Sequence, residues 1–283
     1  MEDNNVKILK IKELIKNSNC ILIGAGAGLS ASAGLDYSGE RFENNFAEFI
    51  KKYGFTDMYS ATFYDFESQE EKWAYFAKHI YMNDVGIEAT DLYKKVLKLV
   101  REKEYFVITT NVDDQFEKAG FNKEKIFATQ GSYKKIQCKA SCHNKLYDDS
   151  ELVKEMICNT NQDLKIPSNL VPKCPVCGEN MEVNLRKDAY FVQDNNWYMQ
   201  AKKYSEFLDK NKDKDLVLLE LGVGFNTPGI IRFPFEQMTY QNKNWKLVRI
   251  NRENTMNYFF DIDNKSILIE DDIKSVIKKI LFK

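Results

Sequence analysis

Cys20-Ile21-Leu22-Ile23-Gly24-Ala25-Gly26-Ala27-Gly28-Leu29-Ser30 is the stretch on which the fold turns. Its first four residues form an apolar run too short for a buried helix but suited to a parallel strand covered on both faces. Three glycines at alternate positions follow. They open the turn to a phosphate, which can then approach the backbone N–H groups. A helix starting just beyond would add its dipole to such an anion site. The same residues also suit a tight strand-to-helix turn with no ligand. The spacing is G-x-G-x-G rather than G-x-G-x-x-G, and no acidic residue marks the end of an obvious second strand.

Outward from this turn, the chain alternates strand and helix signals. Val6 to Lys16 carries apolar residues at helical spacing. Phe42 to Arg101 reads as helical, with Ser68-Gln69-Glu70-Glu71 as an N-terminal cap and a further helix over Thr90–Lys103. Strand signals return at 105–109, 125–129, 216–219, 246–250 and 266–269, and an amphipathic helix over Ile273–Leu281 closes the chain. This alternation predicts an α/β fold with a Rossmann-like parallel sheet, helices on both faces, and ligands bound beyond the carboxyl ends of the strands. Three strand ends carry unusual residues and are expected to converge on one crevice: Gly24–Gly28, Thr110-Asn111-Val112-Asp113, and Gly222-Val223-Gly224.

The chain has 283 residues, enough for one large or two smaller domains. The segments 1–41, 102–134 and 195–283 are expected to form the nucleotide-binding domain. Residues 42–101 and 135–194 are expected to insert as the helical and cysteine-bearing parts of a smaller one. The formal net charge is −1, from 41 basic and 42 acidic side chains, which argues against nucleic-acid and membrane-surface partners. No apolar run approaches the ~18 residues of a spanning helix, and the polar start Met1-Glu2-Asp3-Asn4-Asn5 lacks a secretory signature. The expected location is the cytoplasm.

There, the chain's 6 cysteines point to metal ligands or free thiols before disulfides. Cys138 and Cys142 form one thiol pair, and Cys174 and Cys177 a second, with Pro175 and Gly178 shaping the second turn. Four thiolates in two such pairs predict a closed, tetrahedral, structural zinc site, with His143 or Cys158 as alternative ligands. Cys20 reads as a small apolar core residue.

Taken in order, these pieces resemble the sirtuins. Gly26-Ala27-Gly28-Leu29-Ser30-Ala31-Ser32-Ala33-Gly34 is similar to their glycine-alanine-glycine-serine signature. Thr110-Asn111-Val112-Asp113 resembles their Gln-Asn-Ile-Asp motif, and the thiol pairs resemble their zinc ribbon. Gly222-Val223-Gly224 resembles their Gly-Thr-Ser contact, and Val248-Arg249-Ile250-Asn251 the strand whose Asn meets the adenine ribose. The resemblance implies NAD as co-substrate, held between two domains by Gly26, Ala27, Gly28, Ser30, Asp36, Tyr37, Asn111, Asp113, Gln130, Gly222, Val223, Gly224 and Asn251. It implies cleavage of the nicotinamide–ribose bond, with the ribose held and water excluded. Asn111 would bond a ribose hydroxyl or an ordered water. Asp113 would accept from the nicotinamide carboxamide, although both residues also suit an ordinary Asx-turn.

Three departures bear on the chemistry. Gln130 stands where the deacylating members have a histidine that acts as general base, and an amide does not titrate. His79, on a helix, reads as a surface or satisfied residue. Leu185-Arg186-Lys187-Asp188-Ala189-Tyr190-Phe191-Val192-Gln193-Asp194 lacks the Pro and the Phe-Gly-Glu of the acyl-lysine groove. Leu35-Asp36-Tyr37-Ser38-Gly39 replaces Ile-Pro-Asp-Phe-Arg.

This combination is similar to the macrodomain-linked, class M microbial sirtuins. It implies protein ADP-ribosyltransfer with Asn111, Gln130 and Asp113 as catalytic residues. The implied partners are a protein substrate, of which a lipoylated carrier of the glycine-cleavage type is one, and a macrodomain hydrolase that reverses the mark. Arg186 would contact an acidic target or remain solvated. Lysine deacylation, NAD hydrolysis and non-catalytic NAD or ADP-ribose sensing are the alternatives.

Overall fold

A computed structural model describes residues 3–253 and 260–282. Met1 and Glu2 of the polar start, and residues 254–259 and 283 of the expected nucleotide domain, lie outside the described residues. The chain begins with α1 (Asn4–Asn17), β1 (Cys20–Ala25), α2 (Ala27–Ser32), α3 (Glu40–Tyr53), α4 (Met58–Ala61), α5 (Gln69–Ile80) and α6 (Asp91–Val100). It continues through β2 (Glu104–Thr109), α7 (Gln115–Lys118), β3 (Ile126–Ala128), β4 (Gly131–Cys138), β5 (Tyr147–Asp148), α8 (Ser150–Asn159) and β6 (Met181–Leu185). It ends with α9 (Asn195–Asn211), β7 (Leu216–Leu221), α10 (Arg232–Gln241), β8 (Trp245–Asn251), β9 (Ser266–Glu270) and α11 (Ile273–Phe282).

Among the described residues, six strands form one sheet in the order β3-β2-β1-β7-β8-β9, and every neighbouring pair is parallel. β1 and β7 are buried throughout, as strands covered on both faces must be. The period of two splits their side chains cleanly. Ile21, Ile23, Val217 and Leu219 pack with α1, α6 and α11, while Leu22, Leu216 and Leu218 pack with α9 and α10. Ser68 caps α5 as its sequence predicts, accepting a hydrogen bond from the Glu71 N–H at 3.3 Å.

A second core joins α3, α5 and α8 to the antiparallel sheet β5-β4-β6. Its helical side is an aromatic cluster in which Phe46, Phe49, Phe55, Phe66 and Phe76 surround Tyr75, with ring centroids 5.4–5.8 Å apart.

Two expected domain boundaries shift. α6 falls within residues 42–101, expected as the helical insertion, yet its Leu92, Tyr93, Val96 and Val100 pack into the core of the parallel sheet. Its amphipathic spacing records a buried face without recording which sheet covers it. β4 starts at Gly131 and belongs to the smaller sheet, although residues up to 134 were expected in the nucleotide domain.

The strand order reverses between β1 and β7, which makes their carboxyl ends the switch point of the sheet. The glycines there meet one another. The Gly28 N–H donates to the Gly222 carbonyl at 2.9 Å, and the Gly26 N–H to that of Leu221 at 3.1 Å. A Cβ on Gly28 would lie 2.8 Å from the Gly222 Cα. Gly222 has φ +65°, and a Cβ there would lie 2.3 Å from the Leu29 nitrogen. The glycine turn is therefore demanded first by backbone against backbone, whatever ligand it also serves. Gly222→Ala is expected to cost at least ~2 kcal/mol in denaturant unfolding, combining overpacking with left-handed strain. Gly224→Ala, with nothing within 4 Å of its Cβ, should stay within about 0.5 kcal/mol of the wild type.

Candidate active site

A cavity of about 790 Å³ opens beside this switch point, a volume in the range of small-molecule and cofactor sites. Ala27, Gly28, Ser30, Asp36, Tyr37, Asn111, Asp113 and Gln130 all line it, so most of the expected site residues meet in one place. Gly26, Gly222, Val223, Gly224 and Asn251 are not on its wall. Gly26 and Gly222 form the backbone seam beneath it, and the Asn251 Nδ2 donates to the Val223 carbonyl at 3.3 Å. Asn251 thus holds the loop after β7 in this structure.

That loop has a second anchor. The Arg232 Nη1 donates to the same Val223 carbonyl at 3.3 Å, and its guanidinium lies 4.2 Å from the centre of the Phe225 ring. Arg232 belongs to a fully buried group of four charges. The Arg249 Nε donates to Glu220 at 2.7 Å, and its Nη2 to Glu236 at 2.7 Å. Glu220 and Arg249 face each other across the β7–β8 register. Beyond the loop, Asn226 and Thr227 reach the cavity.

Asn111 and Gln130 are brought together by the pairing of β2 with β3. The Thr129 N–H donates to the Thr109 carbonyl at 3.0 Å, and the Tyr133 N–H to that of Val112 at 2.9 Å. The Asn111 Nδ2 points inward. The Gly26 carbonyl, the Tyr93 hydroxyl and the Ser30 Oγ lie 3.0, 3.0 and 3.2 Å from it. Its Oδ1 has no protein partner among the described residues and remains available to the cavity as an acceptor.

Ser30 also donates to the Asp113 carboxylate, and the Tyr93 and Ser30 hydroxyl oxygens are 2.8 Å apart. Tyr93 is a member of this network that sequence reading missed. Tyr93 stands on the buried face of α6 among apolar residues, and a buried tyrosine hydroxyl needs a partner, which is the signal its sequence offers. Asp113 is buried, and desolvation pushes its carboxyl up to about 6 against the bonds from Ser30 and the Gln115 N–H.

Gln130 is half-buried, and its carbonyl accepts from the Arg186 N–H at 3.0 Å. Arg186 itself is exposed at the cavity edge, with its guanidinium 5.8 Å from the Phe191 ring centre. Both histidines lie elsewhere. His79 is fully buried in the smaller unit, with Tyr75 and Tyr133 hydroxyls on its two nitrogens, so it is the satisfied residue its helical position allowed. Burial, helped by the Arg41 cation, pushes its imidazole down to about 3 and keeps it neutral. His143 sits beside the cysteines.

Those cysteines form one cluster. The sulfurs of Cys138, Cys142, Cys174 and Cys177 all lie within 4.8 Å of one another, and the Cys138–Cys177 and Cys142–Cys174 separations are 3.6 Å. Tetrahedral zinc with ~2.3 Å bonds places sulfurs about 3.8 Å apart, so the four thiols fit the ion. Tight turns aim them: the Ser141 N–H donates to the Cys138 carbonyl, and the Gly178 N–H to that of Cys174, both at 2.9 Å. The His143 Nε2 is 3.4 Å from the Cys174 sulfur, a neighbour of the set. Cys158 is exposed on α8 and outside the cluster.

A parallel sheet with a crevice at its switch point, joined to a small unit bearing four clustered thiols, defines an α/β nucleotide-binding protein with a structural metal ribbon. A model of the Sir2 family matches residues 26–219. A protein ADP-ribosyltransferase of Staphylococcus aureus is 34% identical and covers 98% of this chain and 88% of its own length. A probable bifunctional ADP-ribose hydrolase/ADP-ribosyltransferase of Fusarium oxysporum is 35% identical over 84% of this chain, which spans only 41% of that protein. The chain belongs to the Sir2 family, the sirtuins, whose members use NAD. The solved structure of a sirtuin bound to a propionylated peptide shares the fold, with a TM-score of 0.57 at 17% identity over 97% of each chain.

Two outcomes follow from this geometry. A carboxyl raised from 3.8 to about 6 on folding binds its proton more tightly in the native state. The stability it contributes is complete below about pH 4 and is lost as pH rises through about 6. Asp113→Asn should therefore gain stability relative to the wild type across that window, and the difference should vanish in more acid solution, as thermal unfolding at a series of pH values would read. Zinc removal should lower the melting temperature. Cys174→Ser should lose the metal and melt lower, while Cys158→Ser keeps both metal content and melting unchanged.

Proposed function

We propose that this sirtuin is an NAD-dependent protein ADP-ribosyltransferase. The observation that carries the reading is Gln130 in the cavity wall, with no histidine lining that cavity among the described residues. Bound NAD supplies a positively charged nicotinamide as leaving group. Asn111 presents Oδ1 to a ribose hydroxyl while its Nδ2 stays fixed on the protein. Asp113 accepts from the carboxamide, and a cationic ring beside it favours the charged carboxylate. The Gln130 amide orients a hydroxyl or the incoming acceptor and takes no proton. Transfer to a side chain that arrives already ionised needs no general base, whereas deacylation needs one. The names of the Staphylococcus and Fusarium relatives support transfer.

The reading extends to partners. The acceptor is a lipoyl-carrier protein of the glycine-cleavage type, and a macrodomain hydrolase removes the mark. The Fusarium relative, whose name joins an ADP-ribose hydrolase to an ADP-ribosyltransferase, supports that pairing.

The test incubates the purified protein with labelled NAD and an extract of its own organism, and separately with lipoylated and unlipoylated carrier protein. A discrete labelled band that withstands denaturation is expected. It should be absent with Asn111→Ala and at least about tenfold weaker with Gln130→Ala. Gln130→His should not create an efficient deacylase, because the acyl groove also differs. Efficient deacylation of an acyl-lysine peptide by the wild type would overturn the assignment. Nicotinamide release without protein label, when no acyl peptide is present, would point to hydrolysis.

A further inference from the structure

His79 takes no part in the chemistry above, yet it is tied to the cavity by an unbroken line of hydrogen bonds. The Tyr75 hydroxyl lies 2.8 Å from the Met58 carbonyl and 3.2 Å from the His79 Nδ1. The His79 Nε2 lies 2.8 Å from the Tyr133 hydroxyl, which lies 2.7 Å from that of Tyr37. Tyr37 and Tyr133 both line the cavity.

The direction of every proton in this line follows from its inner end. A carbonyl only accepts, so Tyr75 spends its single proton on Met58. The His79 Nδ1 must then donate to the Tyr75 oxygen. A neutral imidazole carries one proton, so Nε2 is a bare acceptor and takes the Tyr133 proton. Tyr133 has none left, and Tyr37 must donate to it. Each hydroxyl along the line has its one hydrogen directed away from the cavity. His79 is fully buried, its ring packed by Tyr37, Tyr75, Phe76 and Tyr133 at centroid distances of 5.0–6.5 Å. These surroundings disfavour the charged ring that would break the polarity.

We infer that neutral His79 polarises a hydrogen-bond wire that leaves the Tyr37 oxygen at the cavity as an acceptor only, and that this oxygen recognises an N–H or O–H donor on the NAD co-substrate. Tyr37 is then a specificity-determining contact, and His79 and Tyr133 are positioning residues that act through it. The ligand half of this inference rests on the NAD reading given above; the wire does not.

The test has two independent parts. In ¹⁵N-labelled protein, with the second histidine assigned through a His143 variant, the ring nitrogens should show His79 as the neutral Nδ1–H tautomer at neutral pH. Tyr133→Phe should move the Nε2 resonance toward that of an unbonded nitrogen, and Tyr37→Phe should leave it in place. An Nε2–H tautomer, or a charged ring, would overturn the wire whether or not any nucleotide binds.

Calorimetric binding of NAD and of ADP-ribose then tests the contact. Tyr37→Phe should weaken binding about three- to tenfold, the range of one neutral hydrogen bond lost in a partly buried site. A loss confined to NAD assigns the donor to the carboxamide, and an equal loss for both ligands assigns it to a ribose hydroxyl. Unchanged binding of both ligands by Tyr37→Phe would overturn the contact and leave the NAD reading standing. Failure of the wild type to bind either ligand would instead refute the NAD reading and the contact with it, while the tautomer still decides the wire.

Discussion

Where β1 and β7 end, two backbone segments touch without side chains between them. Gly26 and Gly28 lie against Gly222, and N–H groups of the first segment close on carbonyls at the end of the second. The contact joins the two halves of the parallel sheet at the point where their connections diverge. The cavity lies directly beside it because a switch point leaves the strand ends uncovered by crossover helices. Three features then depend on the same seam. The Gly26 carbonyl receives the Asn111 amide, the Val223 carbonyl holds Asn251 and Arg232, and Ser30 follows from the first turn of α2 toward Asp113. A side chain at Gly28 or Gly222 would disturb all of them together.

The polar network above the seam is arranged in advance of any ligand. Asn111 commits its donors to the protein, Ser30 its proton to Asp113, and Tyr93 closes the group from α6. What remains toward the cavity is acceptor capacity and one carboxylate whose charge burial discourages. Such a site favours ligands that bring donors and positive charge, and the fixed amide loses little entropy in meeting them. Gln130 differs from this group because its carbonyl is anchored to Arg186 while its side chain is left to the ligand.

The parallel sheet was legible in the sequence because double-sided burial writes itself as short apolar runs, as at Ile21–Ile23 and Leu216–Leu219. The cysteine pairs were legible because metal ligation fixes spacing. The smaller sheet was legible only in part. β6 alternates apolar and polar residues over Met181–Leu185, a strand pattern, but its polar members Glu182 and Asn184 are buried together with Gln137 of β4 instead of solvated. The Gln137 Nε2 donates to Glu182 at 3.2 Å, and the Asn184 Nδ2 to the Gln137 Oε1 at 2.6 Å. This polar ladder satisfies itself across the strands, and β4 loses the period of two where its register with β6 shifts between Gly131 and Ile136. α6 packs on the parallel sheet and not with the rest of residues 42–101, because amphipathicity gives a buried face without an address.

The buried quartet of Glu220, Arg232, Glu236 and Arg249 has a consequence of another kind. Its formal charges cancel, and every member is fully buried. Removing one partner from such a group strands a charge out of water, at a cost of about 3–5 kcal/mol, whereas replacing the whole set by well-packed apolar residues is often nearly neutral. Single steps away from the quartet are therefore closed to neutral drift. Over evolutionary time its four positions are free to vary as a block, and the loop that Arg232 holds would have to find its second anchor again in the same event.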